Sequence, residues 1–319
     1  MDCNTTNQLI AKYRFALFGL SLVWIFFRHT YFYNQFTYGI FDYLVQIGDC
    51  GVDIFMFLSG FGLYHSFEKN NKINEFYKKR IVRIIPTTVI LLAVFAIIQD
   101  IMNGDNSYTI FRPHYWIMSI YSMYWFIGAI LLFYICYPII HKYLLPLNSI
   151  GIIIASISIC IFFILAIKFV HIGLIAQLEV YFARIPIFII GAIFAKNKKY
   201  LGYGKIIFIL FILSIPLLYI LPKSLQRMSY APLSIAFVIY VPYILRKSPA
   251  WFTKVLSIIG TASLEFYLIH IFLFYNGILG FFNRQYSQTV TIVIVFIIVF
   301  ASSWLFNRFF IKLNNLLNK

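Results

Sequence analysis

Apolar runs of about twenty residues alternate with short polar stretches along almost the whole chain. A mainly apolar run of about 17–25 residues is long enough to cross the hydrocarbon layer as a helix. Ten segments qualify, at roughly 15–33, 43–65, 82–101, 122–140, 149–168, 180–196, 205–222, 229–245, 255–275 and 289–310. They predict an all-α fold, a polytopic membrane protein of about ten transmembrane helices. Arg184 and Pro186 interrupt the start of the sixth segment. No connection exceeds about 20 residues, so residues 1–319 read as a single transmembrane domain with no attached soluble domain.

Composition agrees. The chain is 62% hydrophobic and 11% charged, against about 45–50% and about 25% in ordinary globular domains. Its formal net charge of +16 raises the question of nucleic acid, and the placement of the charges answers it. Lys and Arg lie in short loops between apolar runs, as membrane orientation requires, and no Arg-rich arm suggests nucleic-acid binding.

With both termini cytoplasmic, nineteen Lys and Arg fall on the inner side. Six fall outside (Arg28, Arg112, Lys168, Lys223, Arg227 and Arg284), and Arg184 stays within its span. That bias predicts a multi-pass membrane protein with an even number of spans, and the cell (plasma) membrane is its expected location. The polar start, Met1 to Gln8, is unlike a signal-peptide n-region, so the first span is expected to be retained. No internal repeat is visible, which weakens the inverted-repeat architecture of many transporters.

Ionisable side chains inside a membrane are costly and usually serve a site or a pathway. In the first segment, Arg14 and His29 are fifteen residues apart, about 22 Å of rise with faces within about 60°. The same two residues also fit a cytoplasmic anchor and a headgroup-level polar group. Asp53, in the second segment, is expected at about the depth of His29, where a carboxylate can fix an imidazole tautomer. Arg28 and Arg184 are alternative partners for it.

The run Tyr77-Lys78-Lys79-Arg80-Ile81-Val82-Arg83-Ile84-Ile85-Pro86 opens the third segment, with Pro86 expected in its first turn, where a missing N–H is tolerated. Arg80 and Arg83 share a helix face and suit a phosphate-rich ligand or simple anchoring. Trp125 begins an aromatic stretch that also fits an interfacial belt. Arg184, one turn inside its span, calls for a cavity or a partner.

In the ninth segment, Glu265 and His270 diverge by about 140°, whereas Tyr267 and His270 can line one pore. His65, His114, His141 and His171 fall near boundaries or in loops. Cys3, Cys50, Cys136 and Cys160 are scattered without zinc-site spacing, so no metal is expected. There is no Gly-x-Ser-x-Gly elbow, His-Glu-x-x-His motif or Walker loop.

Six pieces occur in a fixed order: His29; Gly51-Val52-Asp53-Ile54-Phe55 with Ser59-Gly60-Phe61; Arg80-x-x-Arg83 with Pro86; Trp125 with Tyr134 and Pro138; Arg184-x-Pro186-x-Phe188-x-x-Gly191; and Gly260-x-x-Ser263-Leu264-Glu265-x-Tyr267-Leu268-x-His270. Together they resemble the acyltransferase-3 family of membrane O-acyltransferases, which decorate bacterial surface polysaccharides. The resemblance covers about residues 12 to 275.

It implies a ten-helix protein that carries an acyl group from cytoplasmic acyl-CoA, acetyl-CoA above all, to a hydroxyl of a surface polysaccharide or lipid-linked glycan. By that resemblance His29 is the catalytic histidine, and Arg80 and Arg83 contact the CoA. The family pattern has a basic residue eleven positions before the histidine, where this chain has Phe18. Arg14, one turn further inward, is the expected substitute. Asp53 is expected to orient His29, and Arg184, Tyr267 or backbone amides to face the developing oxyanion. Trp125, Glu265 and His270 are expected at the substrate pore. A transporter or flippase with a buried His/Asp/Arg site is the alternative reading.

Overall fold

The computed structural model describes residues 3–70, 72–104, 108–170, 178–197, 203–220 and 223–317. His171 and three of the nineteen inner cations, Lys198, Lys199 and Lys319, lie outside the described residues. The described residues form helices and turns, with no strand among them.

The membrane-crossing helices and their pieces are numbered in chain order. They are α1 (Cys3–Asn34), α2 (Cys50–Lys69), α3 (Ile73–Asn103), α4 (Trp125–Ile139), α5 (Ser149–Val170) and α6 (Leu178–Phe182), followed by α7 (Ile185–Lys196), α8 (Gly204–Ile220), α9 (Lys223–Lys247), α10 (Ala250–Thr261), α11 (Ser263–Tyr275) and α12 (Gln288–Leu317). Among the described residues, eight stretches are long and apolar enough to span a membrane, and α10 with α11 makes a ninth if that pair is one span. The remaining expected segment, 205–222, is the shorter apolar helix α8.

Two local expectations are corrected, and the interruption read at the start of the sixth segment is found. The ninth segment is not one straight helix, because α10 and α11 meet at a bend of 74°. The Thr261 carbonyl at the break accepts from Arg83 Nη2 at 2.9 Å and from Asn307 Nδ2 at 3.2 Å. Such breaks are tolerated at membrane depth only where protein satisfies the freed backbone groups. Pro86 is not in a first turn, since α3 begins thirteen residues earlier, at Ile73. The sixth segment is divided at Ala183 and Arg184, and Pro186 opens α7, a first-turn position at which no intrahelical N–H is lost.

Helix packing follows the small residues. A Cβ on Gly60 of α2 would meet the Phe188 carbonyl of α7, and one on Gly191 of α7 would meet the Phe57 carbonyl of α2. Gly19 of α1 faces the Leu256 carbonyl of α10, and Gly260 of α10 faces the Phe15 carbonyl of α1. These backbone-to-backbone approaches fix α2 on α7 and α1 on α10. The fully buried Phe26, Phe57, Phe61, Phe188 and Phe266 fill the centre, whereas α5 and α8 turn many of their Ile, Leu and Phe side chains outward.

Candidate active site

A cavity of about 1140 Å³ runs through the bundle, and both Arg14 and His29 of α1 line it. Its walls also hold Arg80 and Arg83 of α3, Trp125 of α4, Arg184 between α6 and α7, and Tyr267 of α11. The cavity therefore follows about 22 Å of α1. A space this large exceeds the usual small-ligand site of about 300–1,000 Å³.

One end is cationic. Arg14, Lys79, Arg80 and Arg83 line it, with Ser66 and Tyr134 beside them. Arg80 donates to Ser66 Oγ at 2.9 Å and to the Phe76 carbonyl at 3.3 Å, and its guanidinium lies 4.1 Å from the centre of the Phe76 ring. Arg83 is held by the Thr261 carbonyl, so the break in the ninth segment also anchors this arginine. The Arg14 guanidinium lies over the Phe18 ring, against Gly62, within electrostatic range of Arg80 and Arg83. Among the described residues lining the cavity, the one carboxylate is Asp49, which pairs with Arg28 at 3.3 Å. Asp49 is thus engaged at the other end, and among the described lining residues no carboxylate stands with the four cations.

The other end carries His29. Around it lie the Arg28–Asp49 pair, Gln46 donating to Tyr31 Oη at 2.9 Å, and Arg227 paired with Glu179 at 3.0 Å. Burial first, and then the charge of Arg184, lowers the pKa of Arg227 from its ordinary value, while Glu179 raises it. Tyr33, Tyr230 and Tyr275 complete a wall of phenols and paired charges, which suits a polyhydroxylated ligand through hydrogen bonds and ring faces.

Several expected site residues sit elsewhere than expected. Asp53 does not bond to His29. Its Oδ1 accepts from Arg184 Nη1 at 2.6 Å, and both side chains are buried. The helix division at Arg184 lets that side chain reach α2 while it still lines the cavity, so Asp53 holds Arg184 from behind. Arg14 stands where its spacing from His29 places it, fifteen residues of unbroken helix away at the cationic end. His270 is fully buried and lies outside the cavity wall; its Nε2 is 3.0 Å from His29 Nδ1.

Glu265 also lies outside the wall, with Asn307 Nδ2 donating to its Oε1 at 3.2 Å. Trp125, Arg184 and Tyr267 do line the cavity. The sequence reading passed over three features of the site. Lys79 was legible, since it stands in the same basic run. The Arg28–Asp49 and Arg227–Glu179 pairs join separate helices, and no local pattern announces them.

The chain matches the acyltransferase 3 family, described as an acyltransferase domain, over residues 17–308. No curated protein and no solved structure gives a match.

Proposed function

Because the chain belongs to the acyltransferase 3 family and is a membrane acyltransferase, we propose that it moves an acyl group from acyl-CoA, acetyl-CoA in the simplest case, to a hydroxyl of a surface polysaccharide or lipid-linked glycan. One observation carries the reading. A single cavity joins an imidazole to four cations that lack a carboxylate among them. The 3′-phosphate and diphosphate of CoA supply the charge that end lacks, and guanidiniums bind such groups by paired, charge-assisted hydrogen bonds.

In this reading the arginine end faces the cytoplasm of a plasma-membrane protein whose two termini are cytoplasmic. The pantetheine arm extends along the cavity toward His29, which faces the acceptor. His29 Nε2 takes the proton of the acceptor hydroxyl as its oxygen bonds to the thioester carbonyl carbon. Arg184, held by Asp53, and the Tyr267 hydroxyl donate to the oxyanion. Collapse breaks the C–S bond, the proton passes from His29 to the departing thiolate, and an ester and free CoA result. Trp125 offers an aromatic face to the acceptor or to the arm.

Acetyl-CoA should raise the unfolding temperature of the detergent-purified protein, since a ligand that binds only the folded state stabilises it. The Arg80→Ala/Arg83→Ala double variant should lose that shift. His29→Ala should keep the shift and lose transfer to isolated surface glycans by about 100-fold or more. Full transfer by His29→Ala would reject the assignment of the base, and an unchanged shift in the arginine variant would reject the donor site.

A further inference from the structure

His270 sits behind His29, and its two ring nitrogens are both engaged. Nδ1 lies 2.8 Å from the Phe266 carbonyl oxygen, one turn back on α11, and Nε2 lies 3.0 Å from His29 Nδ1. The His29 and His270 planes are 15° apart with centroids separated by 5.2 Å. Against a nitrogen–nitrogen distance of 3.0 Å, that separation is an edge-on approach, not a face stack. Phe26, Phe266 and Phe274 enclose the rest of the His270 ring.

A carbonyl oxygen can only accept, so His270 Nδ1 must carry a proton. A neutral imidazole has one donor and one acceptor, which leaves Nε2 of His270 as the acceptor. The only proton that satisfies the 3.0 Å contact is then one on His29 Nδ1. With Nδ1 protonated, the neutral His29 ring has its lone pair on Nε2.

We propose that His270 is the positioning residue of the acyl transfer: through the Phe266 carbonyl it sets the tautomer of His29, so that Nε2 is the basic nitrogen. The role that sequence spacing assigned to Asp53 thus falls to a neutral ring. When His29 Nε2 takes the hydroxyl proton, the Nδ1–H bond to His270 becomes charge-assisted and strengthens at that moment. No second carboxylate has to be buried to achieve this, which matters where an unpaired charge is costly. The geometry depends on the bend between α10 and α11, because that bend carries α11 across α1 with Phe266 and His270 facing Phe26 and His29.

The inference rests on His29 being the base, and the test separates the two claims. Histidine-selective ¹⁵N NMR of the intact wild-type protein reads the tautomer without any turnover, with the His29 signals identified by their absence in His29→Gln. Nδ1 of His29 should be protonated and Nε2 unprotonated; the reverse would overturn the proposal whatever the variants do.

Three substitutions at His270 then separate the two hydrogen bonds. Gln places an amide oxygen near the lost Nε2, Asn keeps only a donor toward Phe266, and Leu keeps neither. His270→Asn and His270→Leu should lower kcat by about 100-fold or more, with KM for acetyl-CoA within about twofold. His270→Gln should recover at least about tenfold of that loss. Wild-type kcat in the folded Asn variant, or a folded Gln variant no faster than Asn, would overturn the positioning role. An inactive His29→Ala beside a fully active His270→Asn would reject this inference alone, whereas an active His29→Ala would reject the reading beneath it.

Discussion

At the scale of single residues, the buried Asp53–Arg184 pair is the strongest constraint outside the histidines. Its exposure is close to zero on both sides, with one 2.6 Å contact. Asp53 Oδ2 and Arg184 Nε have no further partner among the described residues, so each charge depends heavily on the other. Removing one partner of such a pair commonly costs about 3–5 kcal/mol, whereas replacing both by apolar groups costs far less. Arg184→Met should therefore unfold at markedly lower temperature in detergent, and Asp53→Leu/Arg184→Met should recover much of that loss while remaining slow in transfer. A double variant as unstable as the sum of the two single ones would refute the direct pairing. Sequence could place Asp53 and Arg184 inside spans and name them as partners among others. It could not choose between His29 and Arg184, because that choice depends on how α2 meets the divided sixth segment.

Among helices, the long apolar runs were legible because hydrocarbon thickness sets one length for all of them. The break at Ala262 was not. No proline marks it, and the groups that satisfy its Thr261 carbonyl, Arg83 and Asn307, lie 178 and 46 residues away. Pro86 shows the opposite case, a local breaker that does not end α3.

The packing of these elements rests on glycines whose missing Cβ admits a neighbouring backbone. Gly260→Val places a side chain against the Phe15 carbonyl, and neither backbone can yield as a flexible side chain would. The variant should give little monodisperse protein in size-exclusion chromatography. Gly151 has open space where its Cβ would stand, and Gly151→Ala should keep stability or raise it by up to about 1 kcal/mol. Equal yields of both variants would show that α1 and α10 do not approach as closely as described.

For the whole molecule, the distribution of charge along the cavity decides what each end does. Arg14, expected as the family's basic residue of the first helix, lies with Arg80 and Arg83 along the cavity. A partner of His29 would affect kcat, but a member of the cationic end affects binding of the donor. Arg14→Gln should raise the KM for acetyl-CoA by about tenfold, the scale of one hydrogen bond to a charged group, with a smaller effect on kcat. A pure loss of kcat would return Arg14 to the catalytic end. Donor binding should also weaken as salt is raised, since the cluster is open to the cavity and screening acts over about 10 Å at 0.1 M. Composition and charge placement revealed a membrane bundle with a basic side. That the basic side and His29 share one cavity depends on contacts among helices distant in sequence.

The most direct test of that shared passage is a sided assay. Radiolabelled acetyl-CoA is sealed inside proteoliposomes, isolated surface glycans are supplied outside, and label in the glycan is counted. The account expects label to accumulate outside with wild-type protein, and to fall to background with His29→Ala or Arg80→Ala/Arg83→Ala. Transfer that proceeds only when donor and glycan share one compartment, or that persists undiminished without His29, would contradict it.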